Sequence, residues 1–262
     1  DPTRILRAIR FEQRFDFKIE PQTLRLLKET AKLKMLQKVQ PQRTRDELIL
    51  DLKEARPIKN IRRIQELTGF DFISSGLRLS KNSYSFLNSI EKEIDWFKRV
   101  HHSRRRLDAW LMYFMGLIDP LGAKEAQGIC RRFALRRGEE IRILSFKKID
   151  KKFVSVLSKA KLNPSMIFSL LEPLSYETTL LIKAKYKNRF LKEHIDDFFE
   201  IYNGMRICIG GHDLRSLGMA PGPAYKKIFT RVLNAKLNGH VRTKEEELAL
   251  IKKLCKRFNA NN

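Results

Sequence analysis

The sequence predicts an all-α protein on three observations. Apolar residues recur at helical rather than alternating spacing along the chain, long runs of β-branched residues are missing, and prolines stand where helices would begin. The first helix opens at Asp1-Pro2, an N-cap residue followed by a proline at the first helical position, where its missing N–H costs nothing. Ile5, Leu6, Ile9 and Phe15 make the side of this helix expected to bury. Glu20-Pro21 starts a second helix with Leu24, Leu27 and Ala31 on one side, and Gln40-Pro41 a third with Leu48, Leu52 and Ala55. From Asn82 to Asn203 the helices lengthen into a body, with Leu87, Ile90, Ile94 and Phe97 on one and Trp110, Phe114 and Leu117 on another. The segment from Gly210 to Pro223 reads as a short helix, a glycine turn and a new helix begun by proline. That helix ends at Gly239, and Thr243 with Glu246 makes a capping box for a last one over 244–258, acidic at its start and basic at its end. The expected segments are therefore 1–75, 76–205 and 206–262.

Charge narrows the partners. Fifty-four Lys and Arg residues against 30 Asp and Glu give a formal charge of +24 over 262 residues. Such an excess fits a polyanion, because neutralising phosphates releases counterions. No apolar run approaches the roughly 18 to 20 residues a membrane-spanning helix needs, so no membrane partner is expected. The three cysteines, Cys130, Cys208 and Cys255, have no C-x-x-C companion, which argues against a zinc site or disulfide framework and for a reducing, cytoplasmic setting. No G-x-G-x-x-G, P-loop or D-x-D occurs, so no catalytic or metal-ligating residue is expected in this chain.

On a helix, Asp1 and Arg4 are neighbours, and Arg4, Arg7 and Arg10 follow every three residues, so one carboxylate and three guanidiniums share a stripe. Arginine's fork of donors pairs with a base edge or a triphosphate, and a carboxylate accepts from an exocyclic amine, which makes the stripe a candidate nucleotide site. Arg43 and Glu47 stand at i and i+4 on the third helix, the spacing of an intrahelical ion pair. Basic clusters punctuate the body at Arg104-Arg105-Arg106, Arg131-Arg132, Arg136-Arg137, Lys147-Lys148 and Lys151-Lys152, and with few compensating acidic blocks they make a candidate phosphate track. In the tail, Gly218 and Gly222 let the backbone approach a phosphate at the start of the next helix, with Lys226, Lys227 and Arg231 nearby. His101-His102, His194 with Asp196, and His212-Asp213 do not complete a ligand set for a metal-dependent phosphohydrolase.

The segment DPTRILRAIRFEQRFDF, Asp1 to Phe17, resembles the neck-helix motif of the class II tRNA nucleotidyltransferases and bacterial poly(A) polymerases, E-D-x-x-R followed by x-x-R-A-x-R-F. The resemblance implies that Asp1 and Arg4 read the base edge of an incoming ATP or CTP while Arg7 and Arg10 complete the nucleotide site. The motif's leading glutamate would precede Asp1, so the chain reads as the C-terminal neck, body and tail of a longer protein. VQPQRTRDELILDL, Val39 to Leu52, resembles the family's next motif, in which Arg43 and Glu47 brace the neck. The tail, G-x-D-L-x-x-L-G-x-x-P-G-P from Gly211 to Pro223, is similar to that of long bacterial members and to a helix-hairpin-helix phosphate clamp.

What the family implies is a body that grips tRNA or another structured RNA by shape, and attack of an RNA 3′ hydroxyl on the α-phosphate of ATP or CTP. Two Mg2+ ions would assist, with their ligands in an upstream head, so the chain alone is expected to be inactive. The competing expectation is a non-catalytic helical module that binds structured RNA for another purpose.

Overall fold

The computed structural model describes residues 1–100 and 106–260, with side chains of the last helix described up to Cys255. Among the described residues every regular element is a helix: α1 Arg4–Phe15, α2 Pro21–Lys32, α3 Pro41–Leu52, α4 Pro57–Leu67, α5 Lys81–Val100, α6 Ala109–Leu117, α7 Ala123–Arg132, α8 Arg137–Lys147, α9 Lys151–Leu157, α10 Pro164–Leu171, α11 Tyr176–Lys185, α12 Arg189–Asp197, α13 Gly211–Ser216, α14 Pro223–Leu237 and α15 Lys244–Ala260. A 3-10 turn at Met35–Lys38 and a π turn at Phe198–Tyr202 complete the set. The all-α expectation therefore holds.

Packing divides the chain into two compact units, Asp1–Lys151 with Leu174–Lys187, and Lys152–Pro173 with Asn188–Asn262. These units do not follow the 1–75, 76–205 and 206–262 segments, whose limits rest on motifs rather than contacts.

In the first unit, α1 packs on α3 and α4, burying Ile5, Leu6 and Ile9 with Leu48, Leu52, Ile61 and Ile64. Its helix starts later than the sequence predicts. Arg4 and Ile5 donate backbone bonds to the Asp1 and Pro2 carbonyls, closing a tight i to i+3 turn, so Thr3 holds the N-cap position with helical angles. Asp1 instead accepts from the Thr3 N–H at 3.1 Å and the Thr3 hydroxyl at 2.8 Å. Phe15 is a second correction: it is 52% exposed, because Ile5, Leu6, Ile9 and Arg10 already make the covered side of α1. Ala55 is a third: it is exposed and lies outside α3. Pro57 opens α4, and the residue before a proline is disfavoured in the helical region, so Arg56 stands at φ −129°, ψ 63° and the chain must break. On α2, Leu24, Leu27 and Ala31 share a face but are only half-buried.

Around α5 the body is denser. Leu87, Ile90, Ile94 and Phe97 bury against α6 and α11, and α6 is buried all round from Trp110 to Leu117. Gly116 permits that crossing, since a Cβ there would lie 2.6 Å from Ile90 Cδ1 and 2.9 Å from Leu87 Cδ2. Gly116→Ala is therefore expected to cost about 1–3 kcal/mol despite alanine's better helix propensity, read as a lower urea midpoint. A stabilised variant would show that the two helices can part.

The second unit packs α10 against α12 and α14, and α15 against α13 and α14. Ile209, Leu214, Met219, Ile228, Val232, Ile251 and Leu254 form its tail core. The glycine turn forms as the sequence predicts: Gly218 is left-handed at φ 77°, Pro223 begins α14, and Gly239 is again left-handed at φ 77° past its end. Thr243 Oγ1 accepts from the Glu246 N–H and the Glu246 carboxylate accepts from the Thr243 N–H, both at 3.3 Å, completing the capping box.

Candidate nucleic-acid interface

The face of α1 is held in place by charge on both sides. Asp1 Oδ2 accepts from Arg43 at 2.8 Å, and Arg10 donates to Glu47 at 2.8 Å. Arg43 and Glu47 thus each reach across from α3 to the α1 segment, where the sequence spacing allows a pair within one helix. Two bridges that the sequence does not reveal add to them. Arg14 grips Glu54 with two bonds, at 2.9 and 2.6 Å, and Arg63 on α4 grips Glu12 at 2.6 and 2.9 Å. The partners lie 40 and 51 positions apart in sequence, so periodicity carries no signal for them.

This bracing sorts the arginine stripe. Arg4 and Arg7 are exposed, whereas Arg10 is buried at the core edge beside Glu47. The Arg7 and Arg10 guanidiniums lie 5.7 and 5.6 Å from the centre of the Phe11 ring. Asp1 keeps acceptor capacity, because each carboxylate oxygen carries two lone pairs and Oδ2 is occupied by one donor. A fixed carboxylate beside two exposed guanidiniums can accept from and donate to a planar ligand edge. Within reach of the Arg10 charge, Asp51 on α3 is fully buried with no hydrogen-bond partner at either carboxylate oxygen. Burial pushes its pKa up to about 8 against the pull of Arg10, with Glu47 and Glu54 adding to the rise.

The basic clusters separate similarly. Arg104 and Arg105 lie outside the described residues, as do His101 and His102. Arg131 is exposed, while Arg132 donates to the carbonyls of Phe72 and Ile73 and lies over the Phe133 ring, so its fork is partly used by the fold. Lys147 is turned inward: its ammonium donates to the carbonyls of Ile118, Asp119 and Leu121 at 2.8, 3.0 and 2.8 Å, and burial pushes its pKa down to about 8. His194 is buried with Nδ1 2.9 Å from the Leu157 carbonyl, and the Asp213 carboxylate accepts from the Gly210 N–H.

In the second unit Gly218, Gly222, Lys226 and Lys227 are all exposed around the start of α14. The turn that leads into them is pinned by Glu247, a fully buried carboxylate that accepts from Cys208 N at 2.7 Å, Ile209 N at 3.2 Å and Lys236 Nζ at 2.7 Å. Among the described residues no group of three or more His, Cys, Asp or Glu could hold a metal ion, and no helix is long and apolar enough to cross a membrane.

Residues 16–77 match the family described as the probable RNA and SrmB-binding site of polymerase A. The chain is 31% identical over 260 residues to the A-adding tRNA nucleotidyltransferase of Geobacter sulfurreducens, covering 97% of this chain and 29% of that protein. It is 28% identical over 202 residues to the A-adding tRNA nucleotidyltransferase of Aquifex aeolicus, covering 76% of this chain and 24% of that protein. Among solved structures, the Thermotoga maritima CCA-adding enzyme complexed with tRNA superposes with a TM-score of 0.79 at 26% identity, covering 97% of this chain and 61% of that one. This chain thus spans less than a third of those two relatives and under two thirds of the solved enzyme. The matched motifs, the matched sequences and the matched fold agree that the chain belongs to the class II tRNA nucleotidyltransferase family and corresponds to its C-terminal portion.

Proposed function

We propose that this chain is the RNA-binding and nucleotide-selecting portion of a CCA-adding or A-adding tRNA nucleotidyltransferase, or of a poly(A) polymerase. The observation that carries the reading is the α1 face, where Arg4 and Arg7 are exposed next to an Asp1 carboxylate fixed by Arg43. Asp1 and Arg4 read the base edge of ATP or CTP, and Arg7 approaches the phosphates. Arg10, Arg43 and Glu47 hold the helix that presents them. Structured RNA is gripped through phosphates by Arg131 and Arg132 of the body and by the start of α14, with Gly218, Gly222, Lys226 and Lys227, which reads backbone shape rather than sequence. The relatives are named as enzymes that add A or CCA to tRNA, and solved members are described in complex with tRNA, ATP and CTP. Among the described residues no cluster of His, Cys, Asp or Glu side chains fits Mg2+. A cytoplasmic setting suits the free cysteines and a tRNA substrate.

The test is equilibrium binding by the chain across a salt series. At about 0.15 M salt, tRNA is expected to bind more tightly than a DNA duplex of matched charge. Arg4→Ala is expected to lower ATP and CTP affinity about ten-fold, the worth of one bidentate base contact, with tRNA affinity and thermal midpoint unchanged. Equal loss of nucleotide and tRNA binding would make Arg4 structural. Equal, salt-erased binding of tRNA and DNA would reduce the +24 charge to a generic coat.

A further inference from the structure

The end of α1 carries three phenylalanines that the fold leaves uncovered. Phe11 and Phe15 stand at i and i+4 on one helical strip, and Asp16, left-handed at φ 55°, turns the chain so that Phe17 comes alongside. The rings form a continuous ladder. Phe11 and Phe15 have centroids 6.0 Å apart with planes 18° apart, and Phe15 and Phe17 are 5.5 Å and 28° apart. Exposure rises along it, from 36% at Phe11 to 52% at Phe15 and 68% at Phe17. Three adjoining aromatic rings open to water are costly and mark a surface that something covers.

The surroundings select the occupant. Arg7 and Arg10 border the Phe11 ring, and Arg14 and Lys18 stand on either side of Phe15 and Phe17; Arg10 and Arg14 are paired with Glu47 and Glu54, so the exposed Arg7 and Lys18 supply the cationic border beyond those pairs. Glu12, the acid within this stretch, is engaged by Arg63, so its charge is compensated, and Asp16 is the exposed acid that remains at the turn. π faces in a cationic border suit a ligand with flat, apolar faces on an anionic thread. A purely apolar protein helix would gain nothing from the guanidiniums.

We propose that Phe11, Phe15 and Phe17 form a stacking platform for the unpaired bases of single-stranded RNA. The proposal rests on the RNA-binding reading above and adds to it a site for unpaired bases, distinct in chemistry from the phosphate contacts that grip a helix. The spacing of the rings is shorter than the two stacking distances needed to admit a base between them, so bases lie across the open faces and edges of Phe15 and Phe17. Each such contact is sequence-tolerant, because every base has a π face.

The experiment measures binding of the 262-residue chain to three labelled probes at about 0.15 M salt: short oligoadenylate, an abasic strand of equal length and an RNA duplex of equal length. Phe15→Leu with Phe17→Leu keeps the surface apolar and removes the π faces. That variant is expected to lose about ten- to hundred-fold in oligoadenylate affinity, while abasic and duplex binding stay at the level of the unmodified chain. Phe15→Tyr with Phe17→Tyr is expected to retain oligoadenylate binding, which guards against a folding artefact. An oligoadenylate affinity untouched by the leucines would overturn the platform and leave the rings to a protein segment. A parallel loss on oligoadenylate and duplex would overturn it as well, since fold or charge would then be the cause. If the unmodified chain fails to bind tRNA, the RNA-binding reading itself falls; intact tRNA binding with no leucine effect removes only the platform.

Discussion

Lys183→Met is expected to destabilise the first unit by about 3–5 kcal/mol, because it strands a buried carboxylate. Lys183 on α11 places Nζ 2.9 Å from Glu93 Oε2 on α5 and 3.4 Å from the centre of the Trp96 ring, and both charged side chains are almost wholly buried. Methionine keeps the length and apolar bulk of the lysine stem but leaves Glu93 ionised in an apolar setting, or forces it to take a proton. The chain's two tryptophans, Trp96 and Trp110, both lie in the first unit, so the urea midpoint read by their fluorescence reports that unit. Adding Glu93→Leu to Lys183→Met should recover most of the loss, since a buried ion pair replaced by packed apolar groups is often neutral or stabilising. A single mutant with the original midpoint would show that Glu93 is not dependent on Lys183.

Asp51 should make the same unit weaken as pH rises through neutrality. Its folded pKa of about 8 lies above the roughly 3.9 of an unfolded aspartate, so the folded chain binds the extra proton. The stability linked to this proton is fully present below about pH 4 and is lost as pH rises towards 8, at about 1.4 kcal/mol per pH unit. Between pH 5 and pH 8 the loss is therefore on the order of 4 kcal/mol. Asp51→Asn holds the neutral state at every pH. The gap in urea midpoint between the Asp51→Asn variant and the unmodified chain should therefore widen from pH 5 to pH 8 in the variant's favour. A constant gap would mean that Asp51 stays ionised against Arg10 throughout.

The helical fold was legible because its signals are local. Proline at the start of α2, α3, α10 and α14 and glycine past the end of α14 act within one turn of the chain. The tail likewise follows from Gly218, Pro223 and the Thr243 capping box. Arg4 and Arg7 could be placed on an open face by helical spacing, but the same spacing put Arg10 beside them without revealing that Glu47 draws it into the core. Glu12 with Arg63 and Arg14 with Glu54 were invisible for a related reason: a bridge between distant segments depends on how helices dock. Phe15 illustrates the reverse. Its place on an amphipathic wheel predicts burial, but α1 offers its neighbours α3 and α4 a narrower covered strip than the wheel does. Lys147 reads as one of a surface pair because sequence cannot show the three carbonyls that face it.

In chain order, α11 lies between stretches that belong to the second unit, although its own contacts place it in the first. A ribosome therefore delivers residues 152–173 before it delivers the helix that pairs Lys183 with Glu93 and closes the apolar side of α5. The first unit has to wait for its last piece while part of the second is already outside the tunnel, so the first unit closes in the presence of an unfinished fragment of the second.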